Sequence, residues 1–118
     1  MVLDTNMDKC IRIGIKGKKS YTTAFLYGTP WSQARGLMFS GKKNLIFAFK
    51  REALVSLHMF FVFFPIDVLF LDSAKRVVEK ARLLPFTIYI PRHPCRYILE
   101  LSFPGFAGHA RIGDKISF

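Results

Sequence analysis

The chain is poor in acid. Eight Asp and Glu stand against eighteen Lys and Arg in 118 residues, a formal net charge of +10. Such a balance attracts polyanions non-specifically and keeps nucleic acid or an anionic membrane surface among the partners to consider. Cysteine is nearly absent too. Cys10 and Cys95 form no C-x-x-C pair, which argues against a disulfide framework and suits reduced thiols in a cytosolic protein. Also missing are a Gly-rich phosphate loop, G-x-S-x-G, H-E-x-x-H, zinc-finger spacing and an RRM-type aromatic–basic signature. There is no internal repeat, low-complexity tract or linker. "MVLDTNMDKC" carries Asp4 and Asp8 and no apolar stretch, so no signal peptide is visible and a cytoplasmic location is expected.

What is present is hydrophobic. The composition is 51% hydrophobic and 22% charged, with thirteen phenylalanines. This fits a folded domain rather than a disordered chain, and Phe favours a β-rich core. The length predicts one domain over residues 1–118, large enough to bury a core without disulfide or metal, with residues 1–18 a loosely attached N-terminal segment. The cations are scattered: Lys16, Lys18 and Lys19, then Lys42 and Lys43, Lys50 and Arg51, Lys75 and Arg76, Lys80 and Arg82. That spacing reads first as a solvated basic surface.

The stretch "ALVSLHMFFVFFPIDVLFL", 53–71, is just long enough to cross a bilayer as a helix. Pro65 inside it would break the helical ladder, and Asp67 and His58 would each need a partner in the membrane. Its Phe, Val and Ile suit a pleated sheet instead. The spacing therefore predicts two core strands, 57–63 and 66–72, joined at Phe64-Pro65, with both faces covered as in a small barrel or sandwich. No membrane span is expected.

Elsewhere, strands are predicted at 10–15, 21–27, 45–50, 77–84, 86–90 and 96–101, with a last one at "DKISF". Thr29, Pro30 and Gln33 form a helix-start signature stopped by Gly36. "DSAKR" closes a hairpin, and "PGFAGHA" is a turn or one helical turn. The fold class is mostly β, or β-rich α+β: a compact small barrel or sandwich of about eight short strands with one or two short helices.

The order of several motifs is informative as a set. "QARGLMF" (33–39), "LIFAF", "HMFFVFFPIDVLFLD" (58–72), "RVVEKARLLP", "CRYILEL" (95–101) and "RIGDKISF" (111–118) follow one another along the chain. Together they resemble the domain of unknown function 192 family, from about Lys19 to Phe118. The matching positions are Arg35, Gly36, Leu37 and Met38; Met59; Pro65, Ile66 and Asp67; Tyr97, Ile98, Leu99 and Glu100; and Gly113 with Asp114. One place departs from the pattern. Where the family has Trp, then Met and a polar stretch, this chain has His58, Met59 and then Phe60, Phe61, Val62 and Phe63, so contacts of that polar stretch are not carried over. The resemblance implies a compact, mostly β domain and no established activity.

Six residues form the candidate ligand pocket: Arg35, Met38, His58, Asp67, Tyr97 and Glu100. They are polar or adaptable groups set in otherwise apolar, family-matched segments. Asp67, between Ile66 and Val68, needs a partner if buried, and Arg35 suits it bidentately. The alternative is backbone amides that pin a turn. Strand alternation puts Arg96, Ile98 and Glu100 on one face, which is read as wet, and Tyr97, Leu99 and Leu101 on the other. Asp67 and Glu100 would make an acid/base pair only if they met. His58, His93, His109, Cys95 and the four Met have no metal-ligand spacing, and no metal or cofactor is expected. Cys95 and His93 flank Pro94 without an oxyanion-hole motif. Two functions follow: a non-enzymatic binding or accessory protein for a small ligand or peptide, or a nucleic-acid-binding protein using its basic surface. An enzyme ranks third.

Overall fold

The computed structural model describes residues 9–27, 37 and 41–118. The expected helix at 29–36, Arg35 and Met38 lie outside the described residues. Those residues contain nine strands: β1 (Lys9–Ile15), β2 (Tyr21–Tyr27), β3 (Leu45–Ala53), β4 (Leu57–His58), β5 (Ile66–Leu71), β6 (Val77–Leu83), β7 (Ile88–Tyr89), β8 (Cys95–Leu101) and β9 (Ile116–Ser117). One short helix, α1 (Phe106–His109), lies between β8 and β9. The mostly β expectation holds.

Seven strands make one sheet in the order β6-β5-β8-β3-β2-β1-β9, and β4 pairs with β7 apart from it. Every pairing is antiparallel except β2 with β3. The sheet curls until its outer strands meet at one end. There Val77 N–H donates to Asp114 O at 2.9 Å, Gly113 N–H to Val77 O at 2.8 Å and Ile116 N–H to Lys75 O at 2.8 Å. The barrel alternative is thus approached at this end.

The curl separates two cores. Inside lie Ile13, Ile15, Ile46, Leu69, Leu71, Leu99, Leu101 and Ile116, with Phe106, Ala107 and Ala110 closing over them from α1 and the residue after it. Outside lie Leu45, Phe47, Val68, Phe70 and Ile98, covered by Met59, Val62 and Leu37. β5 alternates between the two: Ile66, Val68 and Phe70 outward, Leu69 and Leu71 inward. This is why the central stretch reads as continuously apolar. Lys80 fixes α1 in place, donating to Ala107 O at 2.8 Å and Ala110 O at 2.6 Å.

Three expectations fail. Residues 57–63 are not a strand: only Leu57–His58 is extended, and it pairs with β7 rather than with β5. Val62 N–H donates to Met59 O at 3.2 Å and Phe61 has φ 59°, so the chain turns where Phe and Val content favours extension. Phe86 likewise has φ 61°, and "FTIYI" keeps only Ile88–Tyr89 as strand. Nor are residues 9–15 loosely attached. They form β1 between β2 and β9, with Ile13 fully buried.

Asn44 ties three strands at one point. Its Nδ2 donates to Thr22 Oγ1 and Thr23 O, both at 3.1 Å, and its Oδ1 accepts from Ser102 N–H at 3.0 Å. Asn44 and Ser102 are both buried, so Asn44→Ala strands the Ser102 amide. A loss of about 1–3 kcal/mol is expected, measured by urea unfolding against wild type.

Candidate functional site

The register sorts the proposed pocket residues by face. Val68 of β5 stands opposite Glu100 of β8, while Asp67 stands opposite Leu101. Neighbouring positions on a strand point to opposite faces. Asp67 therefore shares the inner face with Leu101 and Leu69, and Glu100 shares the outer face with Leu45 and Val68. Tyr97, opposite Leu71, is also inward and packs edge-to-face on Phe118 at 5.1 Å. His58 is exposed in β4, stacked on Phe60 at 5.2 Å, its Nδ1 accepting from Phe60 N–H at 3.3 Å. The four described members of the set do not line one cavity, and Asp67 and Glu100 do not meet.

Asp67 has a cationic partner among the described residues, while Arg35, the partner expected first, lies outside them. Arg82, its cross-strand neighbour in β6, places Nη1 at 3.3 Å from Asp67 Oδ1. The side chains are 25% and 61% exposed for Asp67 and Arg82. A pair so hydrated gains little, so Arg82→Ala is expected to cost no more than about 1 kcal/mol in chemical denaturation. The larger penalty of a buried ion pair does not apply, because Asp67 lies toward the rim of the inner face.

Glu100 is the group that is out of place. It is 9% exposed, and among the described residues no hydrogen bond or ion pair reaches its carboxyl. Its cross-strand neighbours on the same face are Leu45 and Val68, both fully buried. The face expected to be wet is thus the covered one. Burial pushes the Glu100 carboxyl up to about 7. A row across the sheet runs Phe25, Leu45, Glu100, Val68, Ala81. At its β2 end Phe25 is 37% exposed, and Lys43 lies over the Phe25 ring at 5.9 Å and donates to Tyr27 Oη at 2.9 Å.

A second buried carboxylate, which sequence reasoning missed, shows the contrast. Glu79 is 8% exposed, yet the Tyr89 hydroxyl donates to it, as do the amides of Arg92 at 2.9 Å and His93 at 3.1 Å; His93 Nδ1 lies at 2.9 Å. Burial pushes the Glu79 carboxyl up, but these bonds together hold it below its ordinary range. The hydrogen bond that the Tyr89 hydroxyl donates to Glu79 in turn pushes the Tyr89 phenol up. A bulge in β6 between its pairings with Phe70 and Leu71 turns Glu79 to the outer face, and no local sequence pattern marks it. The cluster is saturated and pins the 91–94 loop. Close by, burial first and then the charges of Glu79 and Glu52 push the Cys95 thiol up to about 11, so at neutral pH it is protonated. No group of three or more His, Cys, Asp or Glu among the described residues is placed to hold a metal, and no helix of the described residues is long and apolar enough to cross a membrane.

The Glu100 carboxyl has a folded pKa above its unfolded one, about 7 against 4.5. Its contribution to stability is present below pH 4.5 and is lost as pH rises through about 7. At that spacing the loss is on the order of 3 kcal/mol. Glu100→Gln removes the titration, so the variant should match wild type near pH 5 and exceed it near pH 8 by up to about that amount. Urea unfolding at the two pH values measures the difference. Equal stability of the two proteins at both would mean that the carboxylate has a partner.

Comparison with known proteins places this arrangement. The model of the domain of unknown function 192 family, described as "Uncharacterized ACR", matches residues 11–118. The chain is 36% identical over 109 residues to a UPF0127 protein of Thermococcus sibiricus, covering 87% of this chain and 70% of that one. It is 45% identical over 71 residues to a UPF0127 protein of Pyrococcus horikoshii, covering 58% and 62% of the two chains. A Sinorhizobium meliloti crystal structure titled "putative transcription regulator" superposes with a TM-score of 0.83 at 23% identity, covering 93% of this chain and 94% of the other. A Novosphingobium aromaticivorans protein of unknown function gives 0.77 at 23% identity, over 92% and 85%. These two show the fold alone. With the motif order seen in the sequence and a family model spanning nearly the whole sheet, the chain belongs to the domain of unknown function 192 family.

Proposed function

We propose that this domain is a non-enzymatic binding or accessory module, which holds a small ligand or peptide by a cation or hydrogen-bond donor presented to Glu100. The observation that supports this is the isolation of that carboxyl. A buried carboxylate without a partner costs several kcal/mol, and while Glu79 on the same face is satisfied, none of the described residues bonds the Glu100 carboxyl. A ligand donor would recover that cost. Among the described residues no second titratable group stands beside Glu100 in its row to complete an acid/base pair, since its row neighbours are Leu45 and Val68. The aromatic and cationic end of the row, Phe25 with Lys43, suits the flatter part of such a ligand.

Thermal unfolding at pH 8 with a panel of small amines, guanidinium compounds and polyols tests the proposal. A compound at 100 times its Kd should add about 2.7 kcal/mol to wild type and leave Glu100→Gln unmoved. Compounds that stabilise both proteins equally would place the ligand elsewhere.

Nucleic-acid binding is the second reading, and one feature favours it. A groove of about 620 Å³ beside the closure of the curl is lined by Lys16, Lys18, Lys75 and Lys115. Lys18 is held by Asp114 at 3.0 Å, and Lys75 donates to Phe118 O at 2.8 Å. Lys50 and Arg51 sit on β3, Arg82 on β6 and Arg92 in the 91–94 loop, so the charge is not gathered in this groove. A salt titration with duplex DNA and single-stranded RNA separates the readings, since phosphate neutralisation makes affinity fall steeply with salt.

A further inference from the structure

The curl closes on a row of like charges. Ile15 of β1 pairs with Ile116 of β9, so Lys16 and Lys115 stand opposite one another, with Lys16 N–H donating to Lys115 O at 2.8 Å. On its other side Lys115 is bridged to Arg76. The chain neighbours Ile15, Ile116 and Val77 are buried in the inner core, so alternation turns all three cations outward together. Like charges directly opposite in a sheet destabilise it. Among the described residues, neither the Lys16 nor the Lys115 ammonium has a hydrogen bond or ion pair to offset this. Folding alone does not select such a row.

Lys16 and Lys115 line the groove of about 620 Å³ beside the closure. Clefts of about 300–1,000 Å³ are the size that encloses a small molecule. Four lysines line it and, among the described residues, no acid does: Lys16 and Lys18 from the β1–β2 turn, Lys75 from the β5–β6 turn, and Lys115 just before β9. Two of them are held in place. Lys18 donates to Asp114 Oδ2 at 3.0 Å and to His109 O at 2.7 Å. Lys75 donates to Phe118 O at 2.8 Å, its ammonium 4.0 Å from the centre of the Phe118 ring. An ammonium has three donors, so both anchored lysines keep at least one, and Lys16 and Lys115 keep all three. Only Lys18 of the four has an acidic partner among the described residues. Glu52 and Asp72 accept from amides of the β5–β6 turn and are not part of the lining. Tyr21 adds an aromatic wall. A Cβ on Gly14 would lie 2.7 Å from Tyr21 Cδ1, so the ring lies across a strand position that glycine leaves open, and it stays 57% exposed.

We infer that this groove binds a small phosphorylated compound with at least two phosphoryl groups, which Lys16 and Lys115 neutralise between the anchored Lys18 and Lys75. Lysine meets phosphate as a point charge, and ammoniums drawn from three segments suit an anion with more than one charged group. Nucleic acid fits less well, because a strand of phosphates needs cations along its length, and those outside the groove lie on β3, β6 and the 91–94 loop. The inference does not rest on the Glu100 reading, since no residue of β3, β5 or β8 lines the groove.

Titration calorimetry with inorganic pyrophosphate at physiological salt tests it. Pyrophosphate is expected to bind wild type more tightly than inorganic phosphate does. Lys16→Gln and Lys115→Gln should each weaken pyrophosphate about tenfold. Because the row repels itself, the same substitutions should leave the thermal midpoint of the ligand-free protein unchanged or raise it, which separates lost binding from lost folding. Lys50→Gln, exposed on β3 and outside the groove, should bind as wild type does. Absence of pyrophosphate binding at millimolar concentration would overturn the proposal. So would equal weakening by Lys50→Gln, which would mean attraction to net charge alone. Duplex DNA that binds wild type, is released by Lys16→Gln and is not displaced by pyrophosphate would assign the groove to nucleic acid instead.

Discussion

The strands at the centre of the sheet are apolar on both sides, and the rest of the architecture answers that constraint. β5 and β8 send alternate side chains into two separate cores, and neither face can be left to water. The inner face is covered by the sheet itself, which curls until the start of β6 is bonded to the segment leading into β9, and the start of β9 to the segment leading into β6, with α1 closing over it. A sheet cannot curl both ways, so the outer face must be covered by something else. Loops, the two-stranded β4–β7 ribbon and Leu37 do so. Cover by loops leaves more irregular surroundings than cover by a sheet, and both buried carboxylates among the described residues, Glu79 and Glu100, lie on that outer side.

These two carboxylates show how the same chemistry is resolved in opposite ways. Glu79 receives donors from Tyr89, His93 and two loop amides, and is held in its charged form. Glu100 has only aliphatic cross-strand neighbours and is pushed toward its neutral form. One acts as a fastener for the 91–94 loop. The other has no hydrogen-bond partner among the described residues, a state the fold tolerates close to neutral pH, where protonation hides most of the cost.

Much of the framework was legible in the chain. β-branched and aromatic content marked β2, β3, β5, β6 and β8, and "DSAKR" closes the β5–β6 hairpin, with Asp72 Oδ1 accepting from the amides of Ala74 and Arg76 at 2.9 Å. Gly113, at φ 94°, turns the chain beside Asp114, whose Oδ2 accepts from Arg111 N–H at 2.9 Å. What could not be read depends on contacts distant in sequence. Alternation correctly set Glu100 beside Ile98, but whether that face is wet depends on residues 37 and 59–62 folding over it. The partner of Asp67 is likewise a matter of register, which put Arg82 opposite it. The 57–63 error has a local cause: Phe content argues for a strand whether the rings face a core or solvent, and only the left-handed Phe61 distinguishes the two.

The pairing of β1 with β9 joins Gly14 to Ser117 and Ile15 to Ile116, about as long-range a contact as a chain of this length allows. On a ribosome, β1 emerges first, already apolar on its inner side, with Ile13 and Ile15 destined for full burial. It can pair with β2 at once, but its other edge stays open until residues 111–118 have been made. For nearly the whole of synthesis the nascent chain therefore carries an unpaired edge strand beside half a core. Non-local closure of this kind folds slowly and exposes the chain to wrong pairings, so the domain's demand on chaperones should be set less by its final stability than by the time spent waiting for its last strand.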